Sequence, residues 1–356
     1  MIGTIVVAGI VIILAILLVL YRIHLLLEVA RGNLNKRVTG SNRINAILCL
    51  LFVIGGIILF WWFSIEEFPK YNLPVASEHG IPYEHMFWVT MGFTLTVFFI
   101  TNILLFYFAY RYHYQEGRRA YYFPQNSTLE KLWTIVPAVV MAILVFSGLK
   151  VWSRITSDPP ANSEVIEIMG YQFAWQTRYP GKDNKLGAYD YRLTDATNIM
   201  GVDFRDAASF DDFEPRELHV PKGRPVLLKI RSRDVIHSVY APYFRLKMDA
   251  VPGMPTRFWF VSTKTTDEMR KETGVPDFNY EIACAQLCGR GHFSMRLIVV
   301  VDDPDTYDQW KANQKSWLSS NPDYMAKVPE NLRELALIKT GLDKTENNST
   351  LITKNQ

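Results

Sequence analysis

The chain has 356 residues, of which 49% are hydrophobic and 21% are charged, as in a membrane part joined to a water-exposed part. The formal net charge of +3 is too small to indicate nucleic-acid binding, so we expect no nucleic acid as a partner. Only three cysteines are present, none in a C-x-x-C-H motif, and we therefore expect no covalently attached haem.

Four long stretches without charge each approach the roughly 20 residues that cross the hydrocarbon core of a bilayer. They are residues 2–21, 45–65, 86–110 and 132–149. Tryptophan and tyrosine lie near their ends, as is typical of membrane–water interfaces. A cleaved signal peptide is the alternative for the first stretch, but no Lys or Arg precedes its long apolar run. We therefore expect an uncleaved helix there.

The charges between these stretches predict the orientation, because basic loops stay on the cytoplasmic side. Five Lys or Arg residues lie between the first and second stretches, and four lie between the third and fourth: Arg22, Arg31, Lys36, Arg37, Arg43, Arg111, Arg118, Arg119 and Lys131. Between the second and third stretches, Lys70 is accompanied by Glu66, Glu67 and Glu78. The N-terminus, the 66–85 loop and everything after Trp152 are therefore predicted to lie outside.

Beyond Asp158-Pro159-Pro160 the sequence changes to short β-rich runs separated by turn residues. These runs are 165–169, 171–179, 217–220, 226–231, 256–262, 280–283 and 294–301. Their spacing predicts an all-β sandwich. An acidic stretch at 181–216 resembles an insertion with a solvated surface, residues 305–319 have helical spacing, and the polar residues 345–356 are expected to fray.

A metal-binding motif lies between the last two β-rich runs. The sequence C-A-Q-L-C-G-R-G-H-F-S-M at 284–295 contains Cys284, Cys288, His292 and Met295, and His237 lies upstream in R-D-V-I-H-S. Thiolate, imidazole and thioether ligands together favour copper. A mononuclear blue-copper site needs only one Cys, whereas two thiolates can bridge two metal ions, so the second Cys indicates a two-copper centre.

Other interpretations of these residues compete with a copper centre. Cys284 and Cys288 are a possible disulfide, since this part is predicted to lie outside the cytoplasm. Two Cys and two His can also form a structural zinc site, although Met is not a usual zinc ligand and the spacing is not that of a zinc finger. A lone His such as His237 is usually a surface or core residue.

The loop at 284–295, R-S-R-D-V-I-H-S at 231–238 and K-M-D-A-V-P-G at 247–253 make residues 87–303 resemble subunit II of haem–copper cytochrome c oxidases. After the four transmembrane helices that the apolar stretches predict, the resemblance implies a cupredoxin-like sandwich, with the binuclear copper centre CuA on its end loops. The implied ligands are Cys284 and Cys288 as bridges, His237 and His292 as terminal nitrogens, Met295 as a weak ligand, and the backbone carbonyl of Gln286.

By this resemblance the chain is the copper-bearing subunit of a respiratory cytochrome c oxidase in a bacterial inner (plasma) membrane. It accepts electrons from cytochrome c or a cytochrome c domain and passes them through His292 to a haem in subunit I. Oxygen chemistry and the main proton path belong to subunit I. The implied partners are subunits I and III, membrane lipid and, as an open possibility, a quinol-oxidising complex.

The resemblance also assigns roles to residues outside the ligand loop. Glu130 corresponds to the Glu at the mouth of the K proton pathway, although it also suits a helix-start carboxylate, with Thr128 as a nearby cap. Phe173 stands where many members have the Trp that admits electrons, and Trp175 is the alternative; both also suit core positions of a strand. Asp249 matches an acidic residue of the donor-docking zone.

Two departures from the family pattern concern Gln286 and the N-terminus. Many members have Glu at the position of Gln286, and a neutral amide is a poorer ligand for Mg²⁺, which argues against Mg²⁺ binding there. Most members have two transmembrane helices, so we expect an extra hairpin and outer loop at 1–85, a subunit II hairpin at 86–157, the copper domain at 158–305, and a helical, flexible extension at 306–356. A quinol-oxidase subunit without copper, a copper-delivery protein and a structural module are the alternatives.

Overall fold

The computed structural model describes residues 2–31, 34–115 and 117–342. Contacts within the chain divide it into two units. The first consists of Met1–Asn72 with Val89–Ala138, and the second of Leu73–Trp88 with Val139–Gln356. The predicted fraying at 345–356 lies outside the described residues.

Four helices are long and apolar enough to cross a membrane, which confirms the four predicted transmembrane segments. They are α1 (Ile2–Ala30), α2 (Leu34–Tyr71), α3 (Gly80–Arg111) and α4 (Ser127–Ile155). Each extends beyond its uncharged stretch, because polar residues continue the helix past the apolar segment. The apolar side chains described on these helices are largely exposed around the whole circumference, as in a segment that contacts lipid.

The start of α4 differs in detail from the predicted cap. Asn126, not Thr128, caps the helix: its Oδ1 accepts a hydrogen bond from the N–H of Leu129 at 3.1 Å. Oε1 of Glu130 accepts a bond from the N–H of Asn126 at 3.3 Å. Glu130 is therefore placed at the helix start as expected, where a carboxylate also complements the helix dipole.

Two sheets form the β-sandwich, which confirms the predicted fold class. The strands are β1 (Glu164–Tyr171), β2 (Ala174–Arg178), β3 (Leu218–Pro221), β4 (Pro225–Ser232), β5 (His237–Ala241), β6 (Leu246–Ala250), β7 (Thr256–Val261), β8 (Tyr280–Cys284) and β9 (Arg296–Asp302). One sheet has the order β2-β1-β4-β7 and the other β3-β9-β8-β5-β6. The pairs β1–β4 and β3–β9 are parallel, and the remaining pairs are antiparallel.

The sequence did not predict β5 and β6, and it predicted a β2 that is longer than the observed strand. Residues 171–179 were expected to form one strand, but Tyr171 ends β1 and Phe173 lies in the turn before β2. Alternate residues of the strands face the interior, where Ile166, Ile168, Val226 and Phe260 are almost completely buried. Each such side chain contributes about 1.5–3 kcal/mol relative to an exposed position.

The acidic stretch 181–216 is an ordered layer instead of a solvated loop. Its apolar residues form a second small core with the C-terminal segment: Met200, Val202, Phe204, Phe210, Leu318, Val328 and Ala336. Its carboxylates cap local turns, as where Asp190 accepts from the N–H of Arg192 and Asp206 from that of Ala208. The remaining helices are α5 (Thr266–Thr273), α6 (Pro304–Ala312), α7 (Trp317–Ser320) and α8 (Arg333–Thr340), so the helix expected at 305–319 is split in two.

A buried ionic cluster joins this layer to the outer face of the first sheet. The Arg178 guanidinium donates to Glu167 at 2.7 Å, to Asp212 at 3.1 Å and to the carbonyl of Gly187 at 3.0 Å. Arg231 donates to the other oxygen of Glu167 at 2.6 Å. Burial opposes ionisation of Glu167, but the two guanidinium groups hold its pKa below the ordinary value.

Candidate metal centre

The sandwich brings the predicted side-chain ligands to one end of the second sheet. His237 is the first residue of β5, and Cys284 is the last residue of β8. The two strands are antiparallel neighbours, with Val239 paired to Cys284. The pairing therefore places ligands that are 47 residues apart in sequence beside each other.

Each thiol lies beside one imidazole and one further ligand atom. Cys284 Sγ is 3.9 Å from His237 Nδ1 and 3.2 Å from the carbonyl oxygen of Gln286. Cys288 Sγ is 3.7 Å from His292 Nδ1 and 3.9 Å from Met295 Sδ. Cys284 Sγ and Cys288 Sγ are 3.9 Å apart, so the donor atoms surround a common space.

The two cysteines are free thiols, so the disulfide interpretation is wrong for this structure. A disulfide needs an S–S distance of about 2.05 Å. Within the described residues, His237, Cys284 and Cys288 form a buried group whose ligand atoms all lie within 4.8 Å of one another. Two soft sulfurs with imidazole nitrogens are a donor set that suits copper, and the residues therefore fit a copper site.

Burial controls the protonation of this centre. Burial, reinforced by the neighbouring Cys284, raises the pKa of the Cys288 thiol to about 11. A metal must therefore displace a proton to bind this sulfur. Burial also opposes ionisation of Asp234, but hydrogen bonds from the N–H of Gln172 and from His237 hold its pKa below the ordinary value.

Asp234 orients the buried imidazole of His237. Its Oδ1 lies 2.8 Å from His237 Nε2, so Nε2–H donates to the carboxylate and Nδ1 keeps its lone pair on the side of Cys284. Asp234 was not predicted from the sequence, although its position three residues before a candidate ligand His is a usable signal. Backbone bonds fix the loop ends: Cys284 N–H donates to the Met295 carbonyl at 3.1 Å.

The two predicted electron-entry aromatics contact different parts of the centre. Trp175 is 6% exposed, and its ring meets that of His237 edge-on at 5.9 Å. Phe173 is 37% exposed and packs against Gly289 and Gly291 in the ligand loop. A Cβ atom at Gly289 would lie 2.9 Å from the Phe173 ring, and its φ of +132° also favours glycine.

The other predicted residues lie outside this cluster. Asp249 is exposed on β6, one residue before Ala250, which pairs with His237. The side chain of Gln286 is exposed while its carbonyl faces Cys284. Glu130 lies in the first unit. The functional roles of these residues remain predictions.

Comparison with known proteins identifies the family. Residues 164–302 match the family model "Cytochrome C oxidase subunit II, periplasmic domain", and residues 68–151 match "Cytochrome C oxidase subunit II, transmembrane domain". The alternative cytochrome c oxidase subunit 2 of Bradyrhizobium diazoefficiens is 37% identical over 276 residues, which cover 76% of this chain and 92% of that protein. Cytochrome c oxidase subunit 2 of Cereibacter sphaeroides is 30% identical over 67% of this chain and 76% of its own length.

Among solved structures, the periplasmic domain of cytochrome oxidase subunit II of Bradyrhizobium japonicum covers 43% of this chain and 94% of its own, with 23% identity and a TM-score of 0.30. The sequence relatives and the family models decide the assignment. The chain belongs to the cytochrome c oxidase subunit II family and is a membrane-protein subunit of a haem–copper oxidase.

Proposed function

We propose that this chain accepts electrons from cytochrome c, or from a cytochrome c domain, at a two-copper CuA centre and passes them to haem in subunit I. One observation carries the proposal: two buried thiols that are not joined in a disulfide lie 3.9 Å apart, each beside a different imidazole Nδ1. A single metal ion needs only one of these thiols in a blue-copper site. Two thiols, two imidazoles, a thioether and a carbonyl are enough for two metal ions.

Copper bound here supplies a one-electron redox couple. The protein contributes rigid positioning, since His237 and Cys284 belong to paired strands and Met295 immediately precedes β9. It also excludes water, because His237, Cys284, Cys288 and Met295 are buried. Ligands that cannot move far when the charge changes keep the reorganisation energy low, which favours fast electron transfer.

The routes into and out of the centre are assigned from exposure and contact. Phe173 and Trp175 are the candidate entry residues, because each contacts a ligand or the ligand loop. His292 is only half-buried, unlike His237, and is the exit toward subunit I in this proposal. Asp249 is exposed and available for docking of the electron donor.

The membrane arrangement completes the proposal. The basic loops are cytoplasmic, so the N-terminus and the copper domain face the periplasmic side of a bacterial inner membrane. Segments 1–85, 86–157, 158–305 and 306–356 are an extra hairpin, the subunit II hairpin, the copper domain and an extension. Glu130 is the entry of a proton path into subunit I, where oxygen is reduced and proton translocation is driven. Subunits I and III, lipid and a quinol-oxidising complex are the proposed partners.

Electron paramagnetic resonance of the copper-loaded full-length chain tests the two-copper centre. We expect two copper ions per chain and one unpaired electron shared equally between two copper nuclei. Cys288→Ser should abolish the shared-electron spectrum. Cys49→Ser is the matched control, because Cys49 is an exposed residue of α2 and should leave the spectrum unchanged.

Three outcomes would contradict the proposal. A spectrum of one isolated copper would favour a mononuclear site. Rapid loss of copper to a chelator by the wild-type chain would favour a copper-delivery protein, whose metal must be exchangeable. Oxidase turnover that survives Cys288→Ser would favour a purely structural module.

A further inference from the structure

Gln172, in the turn between β1 and β2, bonds to two separate parts of the candidate centre. Its backbone N–H donates to Oδ2 of Asp234 at 2.8 Å. Its side-chain Nε2 donates to the backbone carbonyl of Cys288 at 2.6 Å. One residue therefore joins the carboxylate that orients His237 to the loop that carries the second thiol.

The backbone contact of Gln172 completes the support of His237. Asp234 uses Oδ1 for His237 and Oδ2 for Gln172, so both carboxylate oxygens are held and the carboxylate has little freedom to rotate. A carboxylate fixed in this way keeps the imidazole in one tautomer and one orientation. This contact depends only on the backbone, so every substitution of Gln172 except proline preserves it.

The side-chain contact of Gln172 serves the ligand loop, which has few other attachments. Within 286–294 the backbone bonds are local turns, such as His292 N–H to the Gly289 carbonyl and Ser294 N–H to the Gly291 carbonyl. Among the described residues, the amide of Gln172 supplies the only hydrogen bond between 286–294 and another segment of the domain. The Phe173 ring packs against Gly289 and Gly291 from the same turn.

We propose that Gln172 is a positioning residue of the copper centre, which holds Cys288 and the following loop at a fixed position relative to His237. The inference rests on the proposed copper function. Without the amide, the loop keeps its ends at Cys284 and Met295 but loses its central attachment. The Cys288 sulfur and the His292 imidazole then have more freedom, whereas His237 and Asp234 keep their contact.

The test uses the full-length, copper-loaded chain with two variants and one matched control. Gln172→Leu removes the amide, and Gln172→Glu keeps the size but removes the NH₂ donor. Gln176→Leu is the control, because Gln176 lies on β2 and its amide donates to Glu214 at 2.9 Å instead of to the ligand loop. Thermal unfolding of the metal-free chains verifies that all variants are folded.

We expect both Gln172 variants to release copper to EDTA about 10-fold faster than wild type, the lower end of the effects of outer contacts on metal affinity. The copper hyperfine pattern and the reduction potential should also shift, because the geometry at Cys288 changes. Gln176→Leu should match wild type in copper release, spectrum and potential, because its amide does not contact the ligand loop.

The outcomes separate this inference from the proposed function. If wild type shows the shared-electron spectrum and both Gln172 variants keep its copper-release rate, spectrum and potential, the positioning role is wrong while the copper function stands. If wild type itself lacks the shared-electron spectrum, the proposed function fails, and the positioning role fails with it.

Discussion

Gly170→Ala is a test of how tightly the protein surrounds His237. A Cβ atom at position 170 would lie 2.9 Å from Cδ2 of His237 and 3.0 Å from Cζ3 of Trp175. Carbon atoms prefer separations of about 3.5–4.0 Å, so the rings must yield by roughly 0.6 Å or more. His237 is fully buried, Asp234 holds the Nε2 atom next to Cδ2, and Cys284 Sγ lies 3.9 Å from Nδ1 on the far side of the ring, so the imidazole has little space into which to move.

Overpacking of this kind costs about 1–3 kcal/mol. If the whole cost falls on the copper-bound geometry, copper affinity drops by about 5- to 150-fold, because about 1.4 kcal/mol is a factor of ten. Competition with a chelator measures the affinity, and paramagnetic resonance reports the change at His237. Gly148→Ala is the control, because a Cβ atom there would meet no atom within 4 Å. Unchanged copper affinity and spectrum in Gly170→Ala would refute the reasoning.

Two further predictions concern the buried ionic cluster. Arg178→Met should destabilise the chain by about 3–5 kcal/mol in denaturant unfolding, because Glu167 loses a buried partner. The control Arg224→Met removes an exposed ion pair and should cost less than about 1 kcal/mol. Equal costs for the two variants would contradict the prediction. Burial raises the pKa of Glu214 from 4.5 to about 7, so the folded state holds this proton more tightly than the unfolded state. Stability should therefore fall by up to about 3 kcal/mol as pH rises from 4.5 through 7. In melting curves across this range, Glu214→Gln should reduce the dependence of stability on pH. It should not abolish that dependence, because burial also raises the pKa of Asp212 to about 7. An unchanged pH dependence would contradict the role of Glu214.

The candidate ligand set could be proposed from sequence because most of its side chains lie in one short stretch. Cys284, Cys288, His292 and Met295 lie within twelve residues, and a soft metal requires these side chains whatever the details of the fold. The structure links these four residues and His237 in one chain of contacts, from His237 through Cys284 to Cys288 and on to His292 and Met295. The four membrane segments were predictable for a similar reason, since a helix of about 20 apolar residues is long enough to cross the hydrocarbon core of a bilayer.

Strands β5 and β6 were both missed, for different reasons. β5 has five residues and contains the buried polar residues His237 and Ser238, which disturb the alternation of apolar and polar side chains. Its pairing with β6 and β8 determines that it is a strand, and such long-range pairing leaves no local signal. In β6 the charged residues Lys247 and Asp249 alternate with less exposed apolar residues, which is a usable strand signal that was overlooked.

The contacts that surround the ligands are also long-range. Gln172 and Cys288 are 116 residues apart, and no spacing rule connects them. Arg178 and Glu167 are charged strand residues, yet they are buried, and Arg178 bonds to Asp212 and Gly187 of the layer at 181–216. A burial pattern read from one strand cannot reveal a covering segment that comes later in the chain.

The candidate centre is held more firmly at His237 than at 286–294, and this difference bears on the proposed electron transfer. His237 is fixed by strand pairing, by Asp234 and by Trp175, whereas 286–294 depends on one hydrogen bond from Gln172 and on packing of Phe173. A change of charge at the metal should therefore displace Cys288 and His292 more than His237. Because reorganisation energy grows with such displacement, substitutions at the β1–β2 turn should alter the electron-transfer rate more than equally conservative ones behind His237.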